Sequence, residues 1–229
     1  MYDDLRKQVL EANLALVRHG LVVMTWGNAS AIDRAKGVVA IKPSGVPYEQ
    51  MSWQDIVVVD LDGRTVEGKC RPSSDLPTHL ALYVAWPAIG GVVHTHSAHA
   101  TMFAQACQPI PCLGTTHADH FHGAVPVTRV LTEREVVDDY EANTGEVIIE
   151  RFADLEPLHV PAVLVGTHGP FTWGHNVMEA VQNAVALEQV AQMALGTQQI
   201  NGDCKPIPAH ILAKHFSRKH GPKAYYGQK

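Results

Sequence analysis

Two histidines one residue apart, His94 and His96, close a run of apolar residues in "GGVVHTHSAH". If that run is a strand, side chains two apart share a face, and two imidazoles stand together at a buried strand end. Neutral rings packed with hydrogen bonds are one reading of such a pair; chelation of a metal is the other. Two further residues favour the second. "AVLVGTHG" is another apolar strand ending in a histidine, His168, and a carboxylate, Asp75, sits at an expected helix start. Three imidazoles and one carboxylate form a nitrogen-rich set suited to zinc, whose bonds to nitrogen are roughly 2.0–2.1 Å long. Magnesium and calcium prefer oxygen and fit it poorly. His99, on the helix that follows, reads as a supporting or surface residue, and His19 and His159 as ordinary ones.

Three short stretches share another chemistry: "TWGNAS" (25–30), "KPSG" (42–45) and "PSSD" (72–75). Each offers turn backbone N–H groups and short hydroxyls, and together they suit a phosphate, with the helix start at Ser73–Ser74 adding its partial positive charge. Taken singly, each is equally an ordinary turn. Lys42 is either a phosphate partner or a surface lysine.

The elements that must position these groups alternate between helical and extended character, which predicts one α/β domain over 1–229. Leu5, Val9, Ala12 and Leu16 recur at helical spacing, and this helix ends near Gly20. "LVVMT" and "VVAIKP" read as strands, and "IVVVDLDGRTVEG" as a hairpin turning at Asp62–Gly63. Ser74 is the expected cap of a helix through "DLPTHLALYVAW", with Pro77 in its first turn. "GVVHTH" reads as a strand, and Ser97 as the cap of "AHATMFAQA". "TERE" (132–135) is a capping box; "EVIIERF" and "PAVLVGTH" read as strands. The longest helix starts at Asn176, with Glu179 as its capping-box glutamate, and a last helix covers "AHILAKHFSRKH".

Composition narrows the classes. In 229 residues, 46% hydrophobic content suffices for a core, and a net charge of −5 argues against nucleic acid as the main partner. No apolar stretch is long enough to span a bilayer; Leu80–Val93 is interrupted by Pro87, Gly90 and Gly91. The N-terminus shows acids at once and no cleavage signal. Four cysteines without a C-x-x-C pair point to reduced thiols and a cytoplasmic location.

In order along the chain, "TWGN", "IKPSGV", "RPSSD", "GGVVHTHSAHAT", "GTTHAD", "THGPFTWG" and "RKHGPKAYYGQ" resemble the L-ribulose-5-phosphate 4-epimerases of the class II aldolase/epimerase superfamily. The match runs nearly end to end; "TTHAD" and "AYYGQ" are its epimerase-specific parts. The resemblance implies a class II aldolase-like α/β fold, with a mostly antiparallel central sheet flanked by helices on both sides. It implies a C4 homotetramer with active sites between subunits. It assigns Asp75, His94, His96 and His168 as ligands of Zn2+, for which Mn2+ or Co2+ substitutes. Gly27, Asn28, Lys42, Ser44, Gly45, Ser73 and Ser74 bind substrate and phosphate. Asp119 and Tyr226 form the acid/base pair, reaching one site from different subunits, and Thr115, Glu141 and His215 lie near it. On residue type alone Tyr226, beside the C-terminus, would read as a frayed tail. The family usually has "THADYFYG" or "THADYFFG" where this chain has "THADHFHG", so His120 and His122 replace aromatics beside Asp119.

The implied reaction interconverts L-ribulose 5-phosphate and D-xylulose 5-phosphate, a step that arabinose and ascorbate catabolism both use. The hydrogen on carbon 4 is not adjacent to the carbonyl and is not acidic enough to remove. Without a redox cofactor, inversion requires the bond between carbons 3 and 4 to break and re-form. Such a route needs an electron sink, which a Lewis-acidic metal supplies, an anchor for the phosphate-bearing fragment, and proton-transfer groups on both sides of the aldehyde oxygen. The rival readings are a class II aldolase that releases both fragments, and a non-catalytic binding module like the adducin heads, which lack the metal histidines.

Overall fold

A computed structural model describes residues 1–220 and 224–226. Residues 221–223 and 227–229, which include part of the "HGPKAYYGQ" tail motif, lie outside it. Helix α1 (Asp3–Arg18) buries Val9, Ala12 and Leu16 as its spacing predicts, with Asp3 and Asp4 in its first turn and Arg18 in its last complementing the helix dipole.

Seven strands form one sheet: β1 (Asn28–Asp33), β2 (Val38–Ile41), β3 (Val57–Asp60), β4 (Thr65–Glu67), β5 (Gly91–His94), β6 (Ala162–Leu164) and β7 (Pro170–Gly174). Their order is β4-β3-β2-β1-β5-β7-β6, and every neighbouring pair is antiparallel. Side chains alternate between two buried faces. Val39, Ile41, Val57, Val59 and Val92 join a core covered by α2 (Leu76–Ala85), α3 (Ala98–Gln105) and α5 (Glu133–Arg151). Ala29, Ala31, Val38, Ala40, Val58 and Val93 join a second core under α1. The long helix α6 (Val177–Ile200) serves both, giving Val177, Ala180 and Ala184 to one and Leu187, Val190 and Ala194 to the other. Two helices complete the chain, α4 (Thr115–Ala118) and α7 (Ala209–His220). The sheet is thus flanked by helices on both sides, as the sequence implies.

Several elements differ from their sequence reading. "LVVMT" is not a strand: Met24 takes a left-handed φ of 55° and Gly27 one of 83°, so the chain extends only from Asn28. "EVIIERF" is helical, the second half of α5 and its end. Its β-branched residues suggest a strand, but Gly145 lets α5 lie against α2, where a Cβ would stand 2.7 Å from the Ala81 Cβ, and that packing overrides propensity. β7 is not signalled, because it opens on a proline, tolerated only at a strand's first residue or edge. β5 ends at His94, so His96 lies beyond it. Asp75, not Ser74, occupies the cap position of α2 and makes no cap hydrogen bond; its carboxylate is turned to Asn28 instead. At α6 the Asn176 side chain does cap Glu179 N, but the Glu179 carboxylate returns to His175 N rather than to Asn176. The capping box of Thr132 and Glu135 is present in full.

β5 and α6 touch at backbone distance: a Cβ on Gly91 would stand 2.2 Å from Val177 Cα, whereas one on Gly196 would meet nothing within 4 Å. Gly91→Ala is therefore expected to destabilise the protein by about 3 kcal/mol or more, through forced overpacking. Gly196→Ala, inside α6, is expected to stabilise it by about 1 kcal/mol. Thermal melting of both variants checks this contrast.

Candidate active site

The ends of β5 and of the β6–β7 connection meet in a cleft of about 610 Å³. A larger depression, about 740 Å³, lies beside the α1 N-terminus. It brings together no cluster of metal-ligating side chains among the described residues, and Lys36 in it is paired with Asp33 at 2.9 Å.

In the smaller cleft the ligating atoms of His94, His96 and His168 all lie within 4.8 Å of one another. His94 is fixed by its Nδ1, 2.9 Å from the Pro170 carbonyl. A carbonyl only accepts, so Nδ1 carries the proton and Nε2 presents a lone pair. That nitrogen lies 3.1 Å from His96 Nε2. Burial, then the neighbouring His94, pushes the His96 pKa down to about 4. Burial, then His94 and His96, pushes that of His168 down to about 3. His96 and His168 are therefore neutral, the form that binds a metal. The His168 Nδ1 meets the Tyr140 hydroxyl at 3.2 Å, the kind of outer contact that orients a ligating imidazole. Thr167, with a φ of 66°, makes the tight turn that aims His168 inward.

Asp75 lines the same cleft but stands outside the three-histidine cluster. Burial alone would raise its pKa; the nearby His94 and His79 and the hydrogen bond from Asn28 outweigh this and hold it below its ordinary value. Neutral imidazoles with a charged carboxylate beside them fit a divalent transition metal.

The loops expected to hold a phosphate line the other wall, with Gly27, Asn28, Lys42, Ser44, Gly45, Ser73 and Ser74 all present. "KPSG" and "PSSD" are bridged at Pro43 and Pro72. Ser73 N donates to the Lys42 carbonyl at 2.9 Å and Ser44 N to that of Arg71 at 3.0 Å. Gly27 is required, because a Cβ there would stand 2.8 Å from the His94 carbonyl oxygen. Lys42 is buried, not at the surface, and desolvation lowers its pKa. Glu141 lines the cleft as well, and so do Tyr140 and Trp26, which the sequence did not single out. A break in α5 at Asp139, where the backbone leaves helical geometry, precedes Tyr140 and Glu141.

Asp119, Thr115, His215 and Tyr226 do not line the cleft of their own chain. Asp119 follows α4, which begins at Thr115, and faces α7. Its Oδ1 lies 2.9 Å from Arg218 Nε and 3.0 Å from His215 Nδ1. Burial alone would raise its pKa; these two contacts outweigh it and keep the group ionised. The Tyr226 ring packs 4.8 Å from the same Arg218 guanidinium. Within one chain both members of the expected acid/base pair touch Arg218, which meets a carboxylate and an aromatic face at once. The His122 ring packs 4.7 Å from that of Phe216. His120 is partly buried, and desolvation followed by the Lys219 charge lowers its pKa.

His79, His96, His117 and His168 are all held below the ordinary histidine value of 6.5, first by burial. Below that pH the unfolded chain binds protons that the folded state refuses, so stability falls. The melting temperature of the metal-free protein is expected to drop as pH goes from 7 to 5. A flat profile would contradict neutral burial of these rings.

Residues 7–195 match the class II aldolase and adducin N-terminal domain family. The chain is 59% identical over 227 residues to an L-ribulose-5-phosphate 4-epimerase UlaF of Salmonella paratyphi A, covering 99% of this chain and 100% of that one. Among solved structures, an L-fuculose 1-phosphate aldolase superposes with a TM-score of 0.79 at 26% identity, covering 94% of this chain and 95% of the other. The L-fuculose-1-phosphate aldolase of Thermus thermophilus shares the fold at TM-score 0.68 and 24% identity, over 89% and 98% of the two chains. The chain belongs to the class II aldolase family, in its L-ribulose-5-phosphate 4-epimerase branch.

Proposed function

We propose that the protein is a metal-dependent L-ribulose-5-phosphate 4-epimerase, interconverting L-ribulose 5-phosphate and D-xylulose 5-phosphate by breaking and re-forming the C3–C4 bond. The observation that carries this reading is the junction, in one cleft, of three clustered imidazoles with a wall of small hydroxyls and turn amides. His94, His96 and His168 would hold the metal, with Asp75 as fourth ligand; Zn2+ suits the donor set, and Mn2+ or Co2+ can substitute. A bound divalent cation supplies Lewis acidity where cleavage of the C3–C4 bond builds negative charge.

The remaining work falls to the chain. Ser44, Gly45, Ser73 and Ser74 present hydroxyls and backbone N–H groups to the phosphate, and Lys42 and Asn28 close that wall. The phosphate stays bound while the aldehyde end turns over, so recombination on its other face inverts carbon 4. Asp119, kept ionised by Arg218 and His215, and the Tyr226 hydroxyl take and return the proton on the aldehyde oxygen, one from each face. Thr115 and His215 support that corner; Glu141 stands across the cleft.

In a single chain Asp119 and Tyr226 stand away from the metal wall, which supports a site completed by a second copy. We place Asp119 and Tyr226 over one cleft from different subunits of a cyclic homotetramer. All four cysteines are free, which supports a cytoplasmic location, and no helix among the described residues is long and apolar enough to cross a membrane. The chain acts as one domain over 1–229.

The zinc-loaded protein given L-ribulose 5-phosphate should form D-xylulose 5-phosphate without accumulating glycolaldehyde phosphate. A coupled assay that finds the free aldehyde as main product would make it an aldolase instead. Tyr226→Phe should lower kcat by about 10²–10⁴-fold, the share of a positioned proton-transfer group, with metal content unchanged. Mixed with the metal-deficient His96→Ala protein under subunit exchange, it should recover activity, since about a quarter of the interfaces then pair an intact cleft with an intact Tyr226. No recovery in verified mixed oligomers would mean that cleft and tail act within one chain.

A further inference from the structure

Behind the cleft, β1 and α2 are joined by a buried polar ladder. Asn28 and Ser30 stand two apart on the strand and share a face; Asp75, His79 and Tyr83 follow at intervals of four along α2 and share another. Asn28 Nδ2 donates to the Asp75 carboxylate at 2.6 Å. His79 Nδ1 lies 2.7 Å from Ser30 Oγ, and Tyr83 Oη lies 2.9 Å from the same oxygen.

Counting donors fixes the protons. Tyr83 spends its one proton on the Ser30 carbonyl, 2.9 Å away. The Ser30 hydroxyl proton then occupies the contact with Tyr83 Oη, so Ser30 Oγ accepts from His79, whose proton sits on Nδ1. His79 is fully buried, and its Nε2 is left as a lone pair with no hydrogen-bond partner among the described residues. The next rung repeats the pattern. The Asn28 amide nitrogen is committed to Asp75 and to Ser73 Oγ, 3.0 Å away, and its Oδ1 is a second buried acceptor without a partner among those residues. Two buried acceptors without partners among the described residues stand on adjacent rungs, and buried waters satisfy groups of this kind.

We propose that His79, backed by Ser30 and Tyr83, is a positioning residue for Asp75: its Nε2 and Asn28 Oδ1 accept the two protons of one buried water, which locks the Asn28 amide with its nitrogen facing the Asp75 carboxylate. If the amide turned over, its oxygen would meet the carboxylate, and like poles would push Asp75 away from the histidines. The inference rests on the reading of Asp75 as the fourth metal ligand.

The test is a cycle of Zn2+ affinities, measured on the full-length metal-free protein by competition with a chromophoric chelator. His79→Asn keeps a donor near the Nδ1 position and removes the Nε2 acceptor. It should weaken Zn2+ binding by about 10–100-fold, as loss of an outer-sphere partner does. Asp75→Ala should weaken it too, and the double variant should be no more than about twofold weaker than Asp75→Ala, because His79 acts through Asp75. Wild-type affinity in His79→Asn, or additive losses in the double variant, would overturn the proposal while leaving the ligand reading intact. Wild-type affinity in Asp75→Ala would overturn the ligand reading and this inference together. If His79→Asn does not fold, Ser30→Ala, which releases the other edge of the ring, takes its place in the same cycle, with the same non-additivity expected.

Discussion

Three imidazoles can be buried against one another only if they are uncharged and share something between them. Two ring nitrogens 3.1 Å apart, one already known to present a lone pair, repel unless a proton or a cation lies in the gap. The surrounding structure meets this constraint. β5 runs between β1 and β7, so its end, His94, is held on both sides, by Asn28 and by Phe171 in the ladder. Glycines stand where the backbone must close on the rings: a Cβ on Gly169 would lie 2.9 Å from the Thr95 carbonyl oxygen and 3.5 Å from His94 Cε1. Glu188 of α6 accepts the N–H groups of His99 and Ala100 at 2.9 and 3.0 Å, anchoring the start of α3 and so the short segment that carries His96.

The same site divides chemically into two halves. The cleft gathers groups that bind: imidazoles, small hydroxyls, turn amides and a buried lysine. The α4–α7 corner gathers the groups proposed to move protons, with Asp119 charged and Tyr226 exposed beside it. Neither half is complete alone for an aldol-type step, which needs both charge stabilisation and a proton donor. The Tyr226 ring is exposed, at 60% accessibility, and in the proposed reading that face meets a second copy.

Much of the cleft was legible in the sequence because its residues come in short local patterns: H-x-H, "KPSG", "PSSD". Helices with strong caps or clear spacing, α1, α5 at its start and α6, were legible for the same local reasons. What was not legible depends on distant contacts. "EVIIERF" carries strand propensity and is helical because Gly145 allows α5 to pack on α2. "LVVMT" is broken by left-handed turns that its β-branched residues do not announce. Tyr140 and His79 have no motif; the first reaches the cleft through a break at Asp139, and the second meets Ser30 behind it through the register of α2 against β1. Tyr226 stood out only by resemblance, and its contact with Arg218 could not be read from spacing.

Carbon 4 can be inverted by two routes that leave different marks on its hydrogen. Turnover of L-ribulose 5-phosphate by the zinc-loaded enzyme in D2O, with the product examined by NMR, separates them directly. Cleavage and re-formation of the C3–C4 bond keeps the original protium on carbon 4 of D-xylulose 5-phosphate, and that is the expected result. Deuterium at carbon 4 would mean that the hydrogen itself is removed and replaced, and would contradict the aldol-type role assigned to the cleft and its corner.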